Sequence, residues 1–258
     1  MRIIVIGEIC EDVFVYGDCD RICPEGPVPV FVPQEKRTYK GMAGNTWENI
    51  KNMSSDDDIL YGWFQNFSER MVKTRYVDKV SNQILLRTDE KDKCSPIGEK
   101  RKHRLFVDKS DTDLLVVSDY NKGFLTDQDL IDITDRSKLS ILDTKRKLNQ
   151  EIIDAYDFIK LNHKELERNC DLLESHDNMK KIVVTMGAYG AKYMGVQHSP
   201  PVVHKTFDVS GAGDVFTAGF AYSYASGNDI IDSISIAQKF CSATVQERGT
   251  CKYEKNMD

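Results

Sequence analysis

The sequence predicts an α/β fold in which helices layer a mostly parallel central sheet and a small β-lid stands beside it. Two observations point there. Apolar runs of strand length recur at 2–7, 114–118, 139–143, 157–161 and 181–186, and their near-continuous hydrophobicity is that of strands covered on both faces. Helix signals lie between and after them. Thr126 stands as an N-cap with Asp129 three residues on, and Ile230, Ile234, Ala237 and Cys241 repeat at steps of four, three and four. Strand–helix alternation of this kind builds a layered domain.

Two regions break the alternation. Residues 11–40 carry Pro24, Pro27, Pro29 and Pro33 among apolar pairs, and residues 73–90 contain Tyr76-Val77 and Ile84-Leu85-Leu86. Proline is tolerated on edge strands but not in central ladders, so both regions read as the edge or antiparallel strands of the lid. Residues 54–58 (Ser-Ser-Asp-Asp-Asp) form a polar turn. Arg101-Lys102-His103-Arg104 reads as a solvated basic loop.

Length and composition suit one domain over 1–258, since 40% hydrophobic residues are enough to build a core. No run of about 18 apolar residues is present to span a membrane. The N-terminus enters a strand directly, without the features of a signal peptide, so a cytoplasmic protein is expected. Seven scattered cysteines form no paired zinc pattern and read as reduced thiols. A net charge of −6 argues against a nucleic-acid partner, which demands a basic face.

The chemistry concentrates in Phe207-Asp208-Val209-Ser210-Gly211-Ala212-Gly213-Asp214, which runs into a segment with helical apolar spacing. Glycines at a helix start let the backbone approach an anion, and first-turn N–H groups with the helix dipole attract it. Phosphoryl transfer needs donors for the γ-phosphate and a base for the acceptor hydroxyl. Gly211, Ala212 and Gly213 can supply the donors and Asp214 the base. The plainer alternative is a glycine turn whose aspartate caps the helix.

Asp208 to Asp214 resembles the C-terminal signature of the PfkB (ribokinase-like) carbohydrate kinases, which implies the ribokinase-like three-layer domain. Within that family the chain is most similar to the heptose 7-phosphate kinase branch, whose members join a kinase to a heptose 1-phosphate adenylyltransferase. Residues 21–30 (R-I-C-P-E-G-P-V-P-V) resemble its R-I-S-P-E-A-P-V-P-V. Residues 82–89 (N-Q-I-L-L-R-T-D) resemble N-Q-Q-L-L-R-x-D, and 118–123 (S-D-Y-N-K-G) resemble S-D-Y-A-K-G. The resemblance implies transfer from ATP, with Mg²⁺, to O1 of a heptose 7-phosphate or similar sugar phosphate. It also implies optional monovalent-cation activation and pairing of two chains through the lid. A kinase for another sugar, such as ribose or a fructose phosphate, and a shortened non-catalytic binder are the alternatives.

The resemblance assigns roles by position. Asp12, Gly41, Asn45, Asp119 and Asp208 fall at sugar-binding positions, with Asn45 equally readable as a helix N-cap. Arg21, Glu25, Arg87 and Lys122 match positions facing the sugar phosphate, and a surface ion pair explains each almost as well. Asn162 and Glu165 form the N-x-x-E pair, with Glu165 organising hydrated Mg²⁺. Thr185, Gly187 and Gly190 match the turn along the nucleotide, and Gly249 falls near the adenine pocket. Asp143-Thr144-Lys145 resembles D-P-K. The chain departs from the family at Met42, where a second glycine is usual, and between Asn52 and Lys73, where a helix and strand are missing. No nucleotidyltransferase segment follows Gly249, so the kinase activity alone is expected.

Overall fold

The computed structural model describes every residue except 66–68, 109–111, 136, 174, 204, 247–248 and 251–258. Along the chain run β1 Arg2–Gly7, β2 Ile9–Ile22, β3 Pro29–Met42, α1 Ala43–Met53, β4 Ile59–Phe64, β5 Met71–Asp78, β6 Ile84–Glu90, α2 Glu99–Asp108 and β7 Leu114–Asp119. Then follow α3 Asp127–Asp132, β8 Ser140–Thr144, α4 Gln150–Ala155, β9 Phe158–Asn162, α5 His163–Arg168 and α6 His176–Met179. β10 Ile182–Thr185, β11 Ala191–Tyr193, β12 Val196–His198, α7 Ala212–Ala225 and α8 Ile230–Thr244 complete the order.

The central sheet has the order β12-β11-β10-β9-β8-β7-β1-β4. Pairs from β10 through β1 to β4 are parallel, and only the β10–β11 and β11–β12 pairs are antiparallel. Alternate residues of each strand feed two separate cores. Ile4, Ile6, Leu115, Val117, Leu142, Ile159 and Leu161 pack with Leu130, Ile133, Ile152 and Ile153 of the α3–α4 side. Ile3, Val5, Leu114, Val116, Ile141 and Val183 pack with Ile50, Phe216, Phe220, Ile234 and Ala237 of α1, α7 and α8. Helices therefore cover both faces, giving three layers. The parallel runs expected from hydrophobicity correspond to β1, β7, β8, β9 and β10, and the Thr126–Asp129 capping box is present in full.

A second sheet of four strands, β3-β2-β5-β6, stands apart. Pro29 and Pro33 lie in β3, an edge strand. β2 pairs with β3 antiparallel but with β5 parallel, because β4 and its place in the main sheet intervene between them. The segment 101–104 is not a loop. It lies on α2, with Arg101 donating to the Phe64 carbonyl and Lys102 paired with Asp129. Among the described residues no helix is long and apolar enough to cross a membrane, and the described cysteines are free thiols.

Candidate active site

The ends of β7, β8 and β9, the start of α1 and the start of α7 converge on Asp214. Gly211 is the N-cap of α7 at φ 83°, a left-handed conformation that glycine enters without steric cost. No side chain caps this helix. Asp214, in its first turn and 3% exposed, points elsewhere. The Tyr120 hydroxyl donates to Oδ1 at 2.7 Å, and Asn45 Nδ2 donates to Oδ2 at 3.1 Å. The capping explanation of Asp214 therefore fails, and so does that of Asn45. Asn45 is the third residue of α1, buried, and its own Oδ1 accepts from Asn49 at 3.0 Å. Burial pushes the Asp214 carboxyl up to about 6. The Tyr120 bond opposes this, Asp143 adds to it, and Asn45 and Lys160 oppose it.

A cavity of about 920 Å³ opens beside this carboxylate. Gly211, Ala212, Gly213, Asn162, Thr185, Gly187 and Gly190 all line it, so the motifs separated in sequence share one wall. Gly187 and Gly190 hold φ values of 57° and 88°. The Ala212 and Asp214 N–H groups fold back onto the Val209 and Gly211 carbonyls at 3.2 and 3.0 Å. A Cβ placed at Gly213 would lie 3.1 Å from the Lys160 ammonium.

Two lysines bring positive charge inside. Lys160, 3% exposed, pairs with Asp143 Oδ2 at 3.0 Å, an oxygen that also accepts from Thr217 at 2.9 Å. Lys145 pairs with Glu165 Oε1 at 2.7 Å and lies 3.8 Å from Asp143 Oδ1. Burial alone would lower Lys145, but Asp143 and Glu165 outweigh it and hold the ammonium at about 12. Burial likewise opposes ionisation of Asp143, yet Lys160 and Lys145 leave its carboxyl below the ordinary value. Glu165, 1% exposed, also completes a capping box with Asn162.

On the lid side, Asp12 pairs with Arg75 Nη1 at 2.5 Å, both side chains nearly buried. A Cβ at Gly41 would stand 2.1 Å from Asp12 Oδ2, so glycine is required by this close approach. Met42 follows at φ 60°, ψ −137°, a strained conformation for a side chain that is itself buried against Cys10 and Met71. Lys73, 9% exposed, sets its ammonium 5.5 Å from the Tyr120 ring centroid.

Other expected residues are exposed or already paired. Arg21 and Glu25 are exposed near the lid tip, Arg87 pairs with Asp89, and Lys122 pairs with Asp92. Asp119 turns inward at 0% exposure, where Thr144, Arg146 and the Asn121 N–H consume its carboxylate. It supports the 119–124 turn and is not turned toward a ligand. Gly249 does not line the larger cavity. At φ 105° it packs on Tyr39 and borders a smaller cavity of about 360 Å³ with Phe14, Tyr16, Asn82 and Asp208. Thr206 and Val209 line both cavities, so the two spaces meet beside the 211–214 turn.

Sequence reasoning missed Lys145 and Lys160 as site residues, as it did Tyr120, Lys73 and Arg75. For Lys160 a signal existed, because lysine rarely enters a run that otherwise reads as a strand buried on both faces.

The chain is 26% identical over 287 residues to the bifunctional protein HldE of a Nitratiruptor species, covering 96% of this chain and 62% of that protein. It is 29% identical over 299 residues to HldE of Hyphomonas neptunium, covering 96% and 61%. The chain thus spans about three fifths of the length of these curated relatives. Among solved structures, Escherichia coli phosphofructokinase-2 in complex with potassium superposes at a TM-score of 0.72 with 15% identity, over 100% of this chain and 96% of that one. The Methanocaldococcus jannaschii nucleoside kinase, an archaeal member of the ribokinase family, superposes at 0.68 with 18% identity, over 99% and 96%. These likenesses establish the ribokinase-like fold. The model of the pfkB family carbohydrate kinases matches residues 124–256, just over half of the chain. The chain belongs to the pfkB family of carbohydrate kinases.

Proposed function

We propose that this kinase transfers the γ-phosphoryl group of ATP to a hydroxyl of a sugar phosphate, with heptose 7-phosphate as acceptor and O1 as the receiving oxygen. The observation that carries the reading is the Asp214 carboxylate, held by two donors at the edge of a large cavity and beside a glycine helix start. A group with a pKa of about 6 is ionised at neutral pH, yet basic enough to take a proton. Asp214 removes the acceptor proton as the hydroxyl oxygen bonds to the γ-phosphorus. The bond from that phosphorus to the β–γ bridging oxygen breaks, and ADP leaves with the bridging oxygen's electrons. The Gly213 amide and Lys160 hold the transferring group, and a preorganised donor there costs no reorganisation in the transition state.

Lys145, Asn162, Thr185, Gly187 and Gly190 form the nucleotide wall. Asp12, Gly41, Asn45, Lys73 and Arg75 form the acceptor wall, with Asp208 at the junction. The strings at 21–30, 82–89 and 118–123 support the heptose branch over other sugars, and the curated relatives agree with it.

Magnesium, which the family implies, fits at Glu165 only through water. Asn162 and Lys145 already occupy three of the roughly four lone-pair positions of that carboxylate, leaving one on Oε2. Among the described residues no three His, Cys, Asp or Glu side chains form a cage. A hydrated magnesium ion needs no more than a carboxylate and the phosphates themselves. Held there through water by Glu165, it would offset the negative charge of the phosphates.

The test is ATP turnover with heptose 7-phosphate, wild type against Asp214→Asn. The variant should lose about 10²-fold or more in turnover while still binding a non-hydrolysable ATP analogue. Equal turnover in the two proteins refutes the assignment.

A further inference from the structure

We infer that Tyr120 is a positioning residue for the base: its hydroxyl fixes the rotation of the Asp214 carboxylate toward the acceptor. The inference rests on the kinase reading above and goes beyond it, because it assigns a role to a side chain that does not itself take the proton.

Three sets of contacts aim the ring. Its backbone N–H donates to Glu8 Oε2 at 2.9 Å, and the same carboxylate accepts from Lys122 at 2.9 Å and Phe124 at 3.3 Å. Glu8 is fully buried, so this one side chain ties down the whole 120–124 turn. Two ammonium groups flank the ring, Lys73 from the lid at 5.5 Å and Lys145 from the nucleotide side at 5.3 Å. At its tip, the 2.7 Å bond to Asp214 Oδ1 is the shorter of the two that hold the base. With Asn45 on the other oxygen, the carboxylate cannot spin, and one lone pair on each oxygen stays available to an incoming hydroxyl.

A hydrogen bond to the charged form also favours that form. The Tyr120 bond holds the Asp214 carboxyl down against burial. The other groups facing Asp214 are Asp143 from β8, Lys145 just beyond it, Lys160 from β9 and Cys10 from β2. Asp143 works in the same direction as burial and Lys160 against it. Tyr120 itself stays protonated, since burial pushes its phenol well above the ordinary value.

Two changes move the base in opposite directions. Tyr120→Phe removes the donor and keeps the ring, so the acid limb of kcat/KM against pH should rise by about one unit, the size expected for one hydrogen bond to a charged group. kcat should fall about tenfold, with both KM values within about twofold. Replacing the tyrosines by 3-fluorotyrosine makes the phenol a stronger donor without altering the packing, and the limb should move down. A donor that is merely structural would move neither limb. The inference is overturned if both profiles superimpose on wild type while Asp214→Asn remains inactive. If Asp214→Asn retains full turnover, the kinase base itself is misassigned and Tyr120 falls with it.

Discussion

The 211–214 turn and the lid both carry family strings, yet their side chains behave oppositely. In the turn, the residues that match are the residues that converge. Gly211, Gly213 and Asp214 sit on one helix start, where the backbone itself supplies the geometry. In the lid, the matching charges Arg21 and Glu25 are exposed, and Arg87, opposite Arg75 on the same face of the sheet, is tied to Asp89. The buried cations of the lid are Lys73 and Arg75, which no lid string singled out. β5 explains this. Its burial alternates strictly, with Met71, Lys73, Arg75 and Val77 on the inner face. A helix start fixes its ligand by backbone, whereas a strand with charges on both faces does not declare which face is inside.

The sharpest way to test the turn side is the stability of Asp214→Asn, beside its loss of turnover. Folding raises this carboxyl from 3.8 to about 6, so the protonated form suits the folded state better. The stability that goes with protonation is fully present below about pH 3.8 and lost as pH rises through about 6. At pH 8 the wild type carries a buried charge costing about 3 kcal/mol, the equivalent of that offset. Asp214→Asn should therefore be dead as a catalyst and more stable at pH 8, with the two melting curves converging below about pH 4. A variant less stable than wild type at pH 8 would show that Tyr120 and Asn45 already offset the burial.

On the lid side, Arg75→Met removes one partner of a nearly buried pair and leaves Asp12 uncompensated. The expected loss is about 3 kcal/mol in urea unfolding, most of it the penalty of the stranded carboxylate. Lys73→Met should cost less. Its ammonium makes no ion pair among the described residues, so removal should leave stability near wild type and raise the acceptor KM about tenfold. An unchanged acceptor KM would separate Lys73 from the acceptor wall.

These contrasts also mark what the sequence made legible. The parallel strands were readable because burial on both faces leaves nearly pure apolar runs, and the Thr126 box because capping is local. The basic segment 101–104 was not, since its charges are spent on a carbonyl and a carboxylate brought near only by the fold. The surroundings of Gly249 were hidden for a related reason. A glycine of positive φ marks a tight turn, but what the turn packs against, here Tyr39, is set by the lid. Asn45 was singled out by its motif, and it donates to Asp214. Its contact with Asp214 depends on α1 and α7 packing together across 169 residues of sequence separation.

The smallest effect belongs to the exposed charges, and it bears most directly on the comparison. Arg87 bonds Asp89 through Nε and Nη2 at 2.7 and 2.6 Å, but both side chains are a third or more exposed. A pair so placed is screened by water and salt and contributes under about 1 kcal/mol. Lys122 with Asp92 is alike, the carboxylate being more than half exposed. Arg87→Met and Lys122→Met should thus unfold within about 1 kcal/mol of wild type and keep the acceptor KM within about twofold. A tenfold rise in acceptor KM for Arg87→Met, with stability unchanged, would mean that Arg87 leaves Asp89 to meet the sugar phosphate when the acceptor binds. The lid string would then have named its phosphate contact after all, and β5 and β6 would hold the acceptor from one shared face.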